Sequence, residues 1–374
     1  MKTGVGTDLP PLFGAEMHED PYPVYRRLRE SDPIHWNDAL QGWVLTRYDD
    51  VAWALKSLSS DRVTTARERF RDAGLDPLWD ALAALMIQRD EPDHTRLRAL
   101  VQKAFHRSSV EQWRGSIERR VRALLTPALE RGEMDFIWDF AVPLPILVIS
   151  ELVGVPEDDR EQVKRWCDDF SIVAVNFYAT ISTDQLARGL QSVKEFRAYL
   201  EAQVETLDRA PRQDLLSSLV LAEHEGHRLT IDELLANAIL LLNAGNETTS
   251  SLLSNGLFAL LQHPEQLARL RAEPGLMSDA VEECLRFDSP VQFQGRVASR
   301  TPSAPACRFA AVSSSSPSSA RPTATPRISR SPIASTCPDI RTSTWPSAMA
   351  TITVSAQSWP GSRGTSRSGS CSRS

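Results

Sequence analysis

The chain's apolar positions fall into long stretches of helical period. Between Pro92 and Leu270 they recur three and four apart in HTRLRALVQKAF (94–105), VEQWRGSIERRVRALLTPAL (110–129) and QSVKEFRAYLEAQVETL (191–207). The same spacing runs through TIDELLANAILLLNAGNETTSSLLSNGLFALL (230–261). That last stretch is apolar on most faces, which predicts a helix through the middle of a domain. Before these, residues 21–56 read as a helix, two short strands and a second helix. Asp20 caps DPYPVYRRLRES, PIHWNDALQGWVLTRY is a hairpin turning near Asp38 to Gly42, and DDVAWALKSL is helical. Two further helices, PEQLARLRAE and LMSDAVEECLRF, precede SPVQFQGRVAS, which reads as the start of a strand region.

The pattern stops after Arg300. Residues 301–374 hold 20 Ser and eight Arg with a single acidic residue, Asp339, and no Leu, Glu or Lys. This composition buries little apolar surface, so the segment is expected to be disordered or to serve as a basic arm for RNA. It divides the chain into a domain over 1–300 and a Ser/Pro/Arg-rich tail over 301–374.

Charge and cysteine usage narrow the class. The whole chain carries −6, and the basic tail leaves residues 1–300 still more acidic, which argues against nucleic acid and anionic membrane as partners. MKTGVGTDLPPLFGAEM has no apolar core, so no signal peptide or anchor is expected there. The apolar runs near VPLPILVIS and LLANAILLLNAG read as too short to span a bilayer. Cys167 and Cys284, without metal-ligand spacing, read as reduced thiols of a cytoplasmic protein. His18, His35, His106, His224, His227 and His263 form no ligand cluster, so no metal site is predicted from side chains. No Gly-rich phosphate loop, zinc spacing or serine-hydrolase elbow occurs.

Four features carry chemistry. His94 and Arg98 are four apart on a helix, so both project from one face and can grip an anionic group; Arg96 and Lys103 nearby make a plain solvated basic face the competing reading. In AGNETTS (244–250) small residues open a gap in a buried helix, followed by an acid beside two hydroxyls. A Thr hydroxyl there can bond back to the preceding turn and bend or widen the helix, and a helix kink with a polar plug is the alternative. Glu283 and Arg286 in EECLR sit at i and i+3, an easy ion pair. Arg296 lies on the possible strand VQFQGRVAS.

In this order and combination, from about Asp20 to Arg300, these features resemble the cytochrome P450 family, haem-thiolate monooxygenases of the soluble bacterial type. The resemblance implies a mainly α cytochrome P450 fold with a small N-terminal β-region. It implies haem b as cofactor, with His94, Arg98 and Arg296 on its propionates. Gly245 would leave room for dioxygen, Glu247 and Thr248 would form the acid–alcohol pair that delivers protons, and Glu283–Arg286 would be a buried structural pair. The implied reaction inserts one oxygen atom of O2 into an apolar small molecule, with electrons from a ferredoxin- or flavin-type partner. Helices around SIVAVNFYATIS and the stretch Val63 to Ile87 would roof the substrate pocket.

One part of the family pattern is missing. The axial cysteine belongs to a loop of the form F-G-x-G-x-H-x-C-x-G downstream of E-x-x-R, and Cys307, Cys337 and Cys371 have no such context. Reading the tail one base over supplies it. Trp345–Pro346 then forces Ala, Met349–Ala350 forces Gly, and the segment can encode L-A-F-G-H-G-x-H-Y-C-L-G-A-x-L-A-R, its Cys codon straddling Thr353 and Val354. Ala320 to Pro326 permits A-N-R-D-P, and Ser331 to Thr336 permits P-D-R-F-D. Three ordered matches lead us to expect a one-base deletion or two-base insertion near Arg300, either a genuine lesion or a sequencing error. The chain as written is therefore expected to lack the axial thiolate, so that no protein side chain serves as metal ligand. It should bind haem weakly or not at all and be inactive as a monooxygenase. The alternative from another class is a non-catalytic helical protein that binds through its cavity or basic tail.

Overall fold

The computed structural model describes residues 20–38, 40, 42–63, 67–72, 75–105, 111–174, 182–298 and 308–312. Its first helix, α1 (Tyr22–Ser31), begins where the Asp20 carboxylate accepts from the Tyr22 amide at 3.1 Å, and it buries Val24, Tyr25 and Leu28. Strands β1 (Ile34–Asn37) and β2 (Gly42–Leu45) form the expected hairpin, with Trp36 opposite Trp43 and their rings edge to face at 5.2 Å. Next come α2 (Tyr48–Ser57), α3 (Arg67–Asp72) and α4 (Asp76–Ala83), then a 3-10 turn at Met86–Gln88.

The helical body follows as α5 (Asp93–Ala104), α6 (Arg114–Arg131), α7 (Pro143–Val153), α8 (Arg160–Ala174), α9 (Thr183–Arg209) and α10 (Leu215–Leu221). The 32-residue α11 (Ile231–Gln262) comes next. Its start is fixed by a capping box, in which the Thr230 hydroxyl accepts from the Glu233 amide (3.3 Å) and the Glu233 carboxylate from the Thr230 amide (2.9 Å). Every residue from Leu234 to Ala244 is buried. This is the central helix that the all-round apolar pattern predicts. Two short helices, α12 (Pro264–Ala272) and α13 (Met277–Phe287), complete the body.

The strand expected in SPVQFQGRVAS forms at Phe293–Val297. The sheet is not confined to the N-terminal region: β3 (Phe293–Val297) and β4 (Arg308–Val312) join the hairpin in the order β1-β2-β4-β3. β4 runs parallel to β2 and antiparallel to β3. Arg308–Val312 thus corrects the expectation of disorder for those five residues. R-F-A-A-V contains no proline, so each of its residues has an amide for the ladder. The rest of 301–374 lies outside the described residues.

A second correction concerns the apolar runs. Phe136–Val153 is by length and composition apolar enough to cross a membrane, contrary to the reading of those runs as too short. The segment is made of a π-helical turn, Phe136–Ala141, followed by α7. α7 packs along the central helix, with Leu144, Ile146 and Val153 buried. Core helices of soluble proteins share this composition.

Candidate functional site

The anion-gripping candidates are held by a chain of hydrogen bonds around the start of α5. His94 Nδ1 meets the Met86 carbonyl at 2.9 Å. A carbonyl only accepts, so Nδ1 carries the proton. The 3-10 turn holding Met86 is itself pinned by a buried amide: Asn237 Oδ1 on α11 accepts from the Met86 amide at 3.1 Å, and its Nδ2 donates to the carbonyls of Glu233 (2.7 Å) and Ala84 (3.4 Å). Arg98 is exposed one turn along from His94. Arg96, which the sequence could place only on a basic face, pairs instead with Glu233 and ties α5 to α11.

Arg296 reaches the same neighbourhood from the sheet. The β3 residue Val297 exchanges both backbone hydrogen bonds with Ser59, each at 2.9 Å. Ser59 and Ser60 in turn bind the Asp90 carboxylate, through the Ser59 hydroxyl and through the Ser60 amide at 2.8 Å. The Asp90 carbonyl accepts from the His94 amide at 2.9 Å. Arg296, half-buried, donates from Nη1 to the Gly295 carbonyl at 2.8 Å. Asp90 is therefore the joint between the strand carrying Arg296 and the helix carrying His94 and Arg98. Sequence reading passed over Asp90 and Ser59, because neither belongs to a periodic pattern.

The AGNETTS segment lies at the middle of α11. The buried Thr248 hydroxyl donates to the Ala244 carbonyl at 2.7 Å, the expected bond to the previous turn. The helix is not widened into another form: α11 stays α-helical from Ile231 to Gln262. Ser250 and Ser254 repeat the bond to Asn246 (3.0 Å) and Ser250 (2.9 Å). Glu247 is half-buried and accepts from the Ser171 hydroxyl of α8 through Oε2 at 3.2 Å. Asn243, one turn before Glu247, donates to Ser171 Oγ (2.7 Å) and to the Cys167 carbonyl (3.0 Å). Asn243 and Ser171 were also missed, although an amide inside ILLLNAG is itself a signal: a polar group on an all-round apolar helix has to find a partner.

Gly245 lies close against α7. A Cβ added there would stand 3.1 and 3.2 Å from Cγ1 and Cδ1 of Ile149, so the space freed by the missing side chain is filled by α7. The glycine lets two helices approach closely. The Glu283–Arg286 pair forms as its spacing predicts, but it is not buried: the side chains are 31% and 25% exposed. The cause is visible on α13, which buries none of its residues among those described, Met277 and Val281 being exposed. Phe258 and Leu261 at the end of α11 are exposed as well.

The overall arrangement is that of a known class. The structure superposes on the bacillaene polyketide synthase cytochrome P450 PksS of Bacillus subtilis with a TM-score of 0.72 and 34% identity, over 85% of this chain and 82% of that one. It superposes on P450BioI, solved with an acyl carrier protein ligated to hexadec-9Z-enoic acid, with a TM-score of 0.70 and 33% identity, over 80% and 78%. In sequence, PksS of B. subtilis is 37% identical over 292 residues, 74% of this chain and 69% of that protein. The biotin biosynthesis cytochrome P450 of B. subtilis is 38% identical over 290 residues, 76% and 71%. The family description "Cytochrome P450" matches residues 164–300. The chain belongs to the cytochrome P450 family, whose members are haem monooxygenases that use redox partners, O2 and organic substrates.

The described residues fit only one side of that cofactor. His94, Arg98 and Arg296 carry N–H groups of the kind that hold carboxylates, and Asp90 links the start of the helix bearing the first two to the segment paired with the strand bearing the third. The axial side does not fit. Burial pushes the Cys167 thiol far up, with Asp168 and Glu247 adding to it, and Cys167 is fully enclosed between α8 and α11. Burial likewise raises the Cys284 thiol, whose sulfur packs against Gly256. A protonated, packed thiol is not an axial thiolate. Cys307, Cys337 and Cys371 lie outside the described residues.

Proposed function

We propose that the gene behind this chain specifies a cytoplasmic cytochrome P450 monooxygenase, and that the chain as written is a frameshifted, catalytically silent form of it. The observation that carries the proposal is the mismatch between the two sides of the site. His94, Arg98 and Arg296 would serve as propionate donors and Glu247–Thr248 as the acid–alcohol pair, while both described cysteines are committed to packing. Two further observations agree. The family match stops at residue 300, where the composition changes. The apolar residues Phe258, Leu261, Met277 and Val281 are exposed.

In the intact protein, haem iron supplies the oxygen chemistry. His94, Arg98 and Arg296 hold the propionates. With Nδ1 donating to Met86, Nε2 is the ring nitrogen of His94 left to face a carboxylate. Glu247 and Thr248 hold and move protons, and Glu283–Arg286 fixes the end of α13. The reaction inserts one oxygen atom of O2 into an apolar small molecule, with electrons from a ferredoxin- or flavin-type donor.

The test is a carbon monoxide difference spectrum of the reduced, haem-supplemented chain, beside a version with the frame restored by one base near codon 300. The unrestored chain gives no thiolate-type red-shifted Soret band, and the restored chain gives one. A thiolate band from the unrestored chain, or none from any single-base restoration, overturns the proposal.

A further inference from the structure

α8 and α11 cross at a small polar cluster enclosed by apolar side chains: Asn243, Ser171 and Cys167 are all buried, next to Phe170, Val173 and Leu242. The chemistry of each partner fixes the direction of every hydrogen bond in it. The Cys167 carbonyl can only accept, so it determines which end of the Asn243 amide faces α8: the nitrogen, at 3.0 Å. That nitrogen can only donate, so Ser171 Oγ accepts from it, at 2.7 Å. The one proton on the Ser171 hydroxyl is then left for Glu247 Oε2, at 3.2 Å. The network runs one way, from α11 to α8 and back to α11.

In a protonated carboxyl the carbonyl oxygen is a much better acceptor than the hydroxyl oxygen, so a bond donated by Ser171 favours Oε2 as the carbonyl oxygen. When Glu247 is protonated, the proton then sits preferentially on Oε1. We infer that Ser171 is a positioning residue for Glu247: it keeps Oε2 the acceptor and so biases the exchangeable proton of the acid towards Oε1. When the acid gives up its proton, the O–H bond at Oε1 breaks and its electron pair stays on the carboxylate. The Ser171 bond to Oε2 then becomes charge-assisted and stronger. Reprotonation re-forms the O–H bond at the same oxygen. The role of this arrangement in catalysis rests on the reading of Glu247 as the proton-delivering acid; the hydrogen-bond assignment does not.

The experiment needs no haem. In the full chain, the carbonyl stretch of Glu247 is followed by infrared difference spectroscopy against E247Q while the pH is varied. Lys164 and Asp168 of α8, which act electrostatically on Cys167 in the same cluster, are present in every sample. Removing a donor that favours the charged form raises the midpoint, so S171A and the near-isosteric S171C each shift it up by about one unit, and S171T restores it. A hydroxyl that merely fills space moves stability and leaves the midpoint alone. Should S171A fail to fold, S171C supplies the reading. The inference is overturned if the midpoint in the folded Ser171 variants equals that of the unsubstituted chain. A chain that gives no red-shifted band with carbon monoxide still yields this titration, so the two proposals fail separately.

Discussion

Arg286 grips Glu283 with both arms across one turn of α13, Nε donating to Oε2 at 2.8 Å and Nη2 to Oε1 at 2.5 Å. The geometry is the strong bidentate form, yet water reaches both partners. Exposed pairs contribute up to about 1 kcal/mol, whereas breaking a buried one costs about 3–5 kcal/mol. E283A should therefore lower the urea-unfolding free energy of this chain by under about 1 kcal/mol. In a frame-restored chain that covers α13, the same substitution should cost several-fold more. Equal costs in the two chains would mean that the restored segment does not pack here.

Asn237 is fully buried and satisfies the Met86 amide while donating to two carbonyls. N237A leaves that amide without its acceptor and should cost about 1–3 kcal/mol in urea unfolding. The turn it pins also holds His94, so faster hydrogen exchange at the Met86 amide is expected in the variant. Unchanged exchange would show that the turn is held by other contacts.

Two glycines on packed helices should respond differently to a methyl group. At Gly189 in α9, a Cβ would stand 2.1 Å from Val173 Cγ1 and 3.3 Å from the Asp169 carbonyl, and the carbonyl belongs to the backbone of α8. G189A is expected to cost about 1–3 kcal/mol, with V173A recovering part of it. At Gly245 the obstacle is the Ile149 side chain alone. There the gain of about 1 kcal/mol in helix propensity roughly offsets the crowding, so G245A should be near neutral and G245A/I149V net stabilising. Thermal unfolding of the four variants checks the order.

Much of the helical body was readable from period alone, because α11 and its neighbours bury stripes that repeat every three or four residues. The spacing of Glu283 and Arg286 was readable for the same reason. Their exposure was not, since it depends on what else lies over α13. Asp90, Ser59 and Ser171 are ordinary polar residues in sequence; they acquire meaning only when β3 meets the loop after α2 and α8 meets α11. Arg96 looked like part of a basic face because its partner, Glu233, lies on another helix far along the chain. The close approach of Ile149 to Gly245 was not legible either, since α7 and α11 meet only in the fold.

Acid should loosen the chain at identifiable places. Burial alone would raise the Glu233 carboxyl, but hydrogen bonds from Arg96 and Thr230 outweigh it and hold the group below its usual range. Glu151 behaves alike: burial would raise it, and Ser116 and Arg120 bring it down. Such groups bind protons more readily in the unfolded chain, so their stabilisation is full above the unfolded value near 4.5 and is lost as pH falls through the lower folded values. E233Q and E151Q should each flatten the fall of urea-unfolding free energy below pH 4.5. An unaltered pH profile in both would place the acid sensitivity elsewhere.

The pairing of β4 between β2 and β3 has a consequence beyond the fold. A sheet recruits a strand through amide and carbonyl groups, which are the same whatever the codons say, provided no proline interrupts. A shifted reading frame rewrites every side chain downstream and leaves that common backbone chemistry intact. Under the proposed frameshift, the strand Arg308–Val312 would survive a misread message where a thiolate ligand would not.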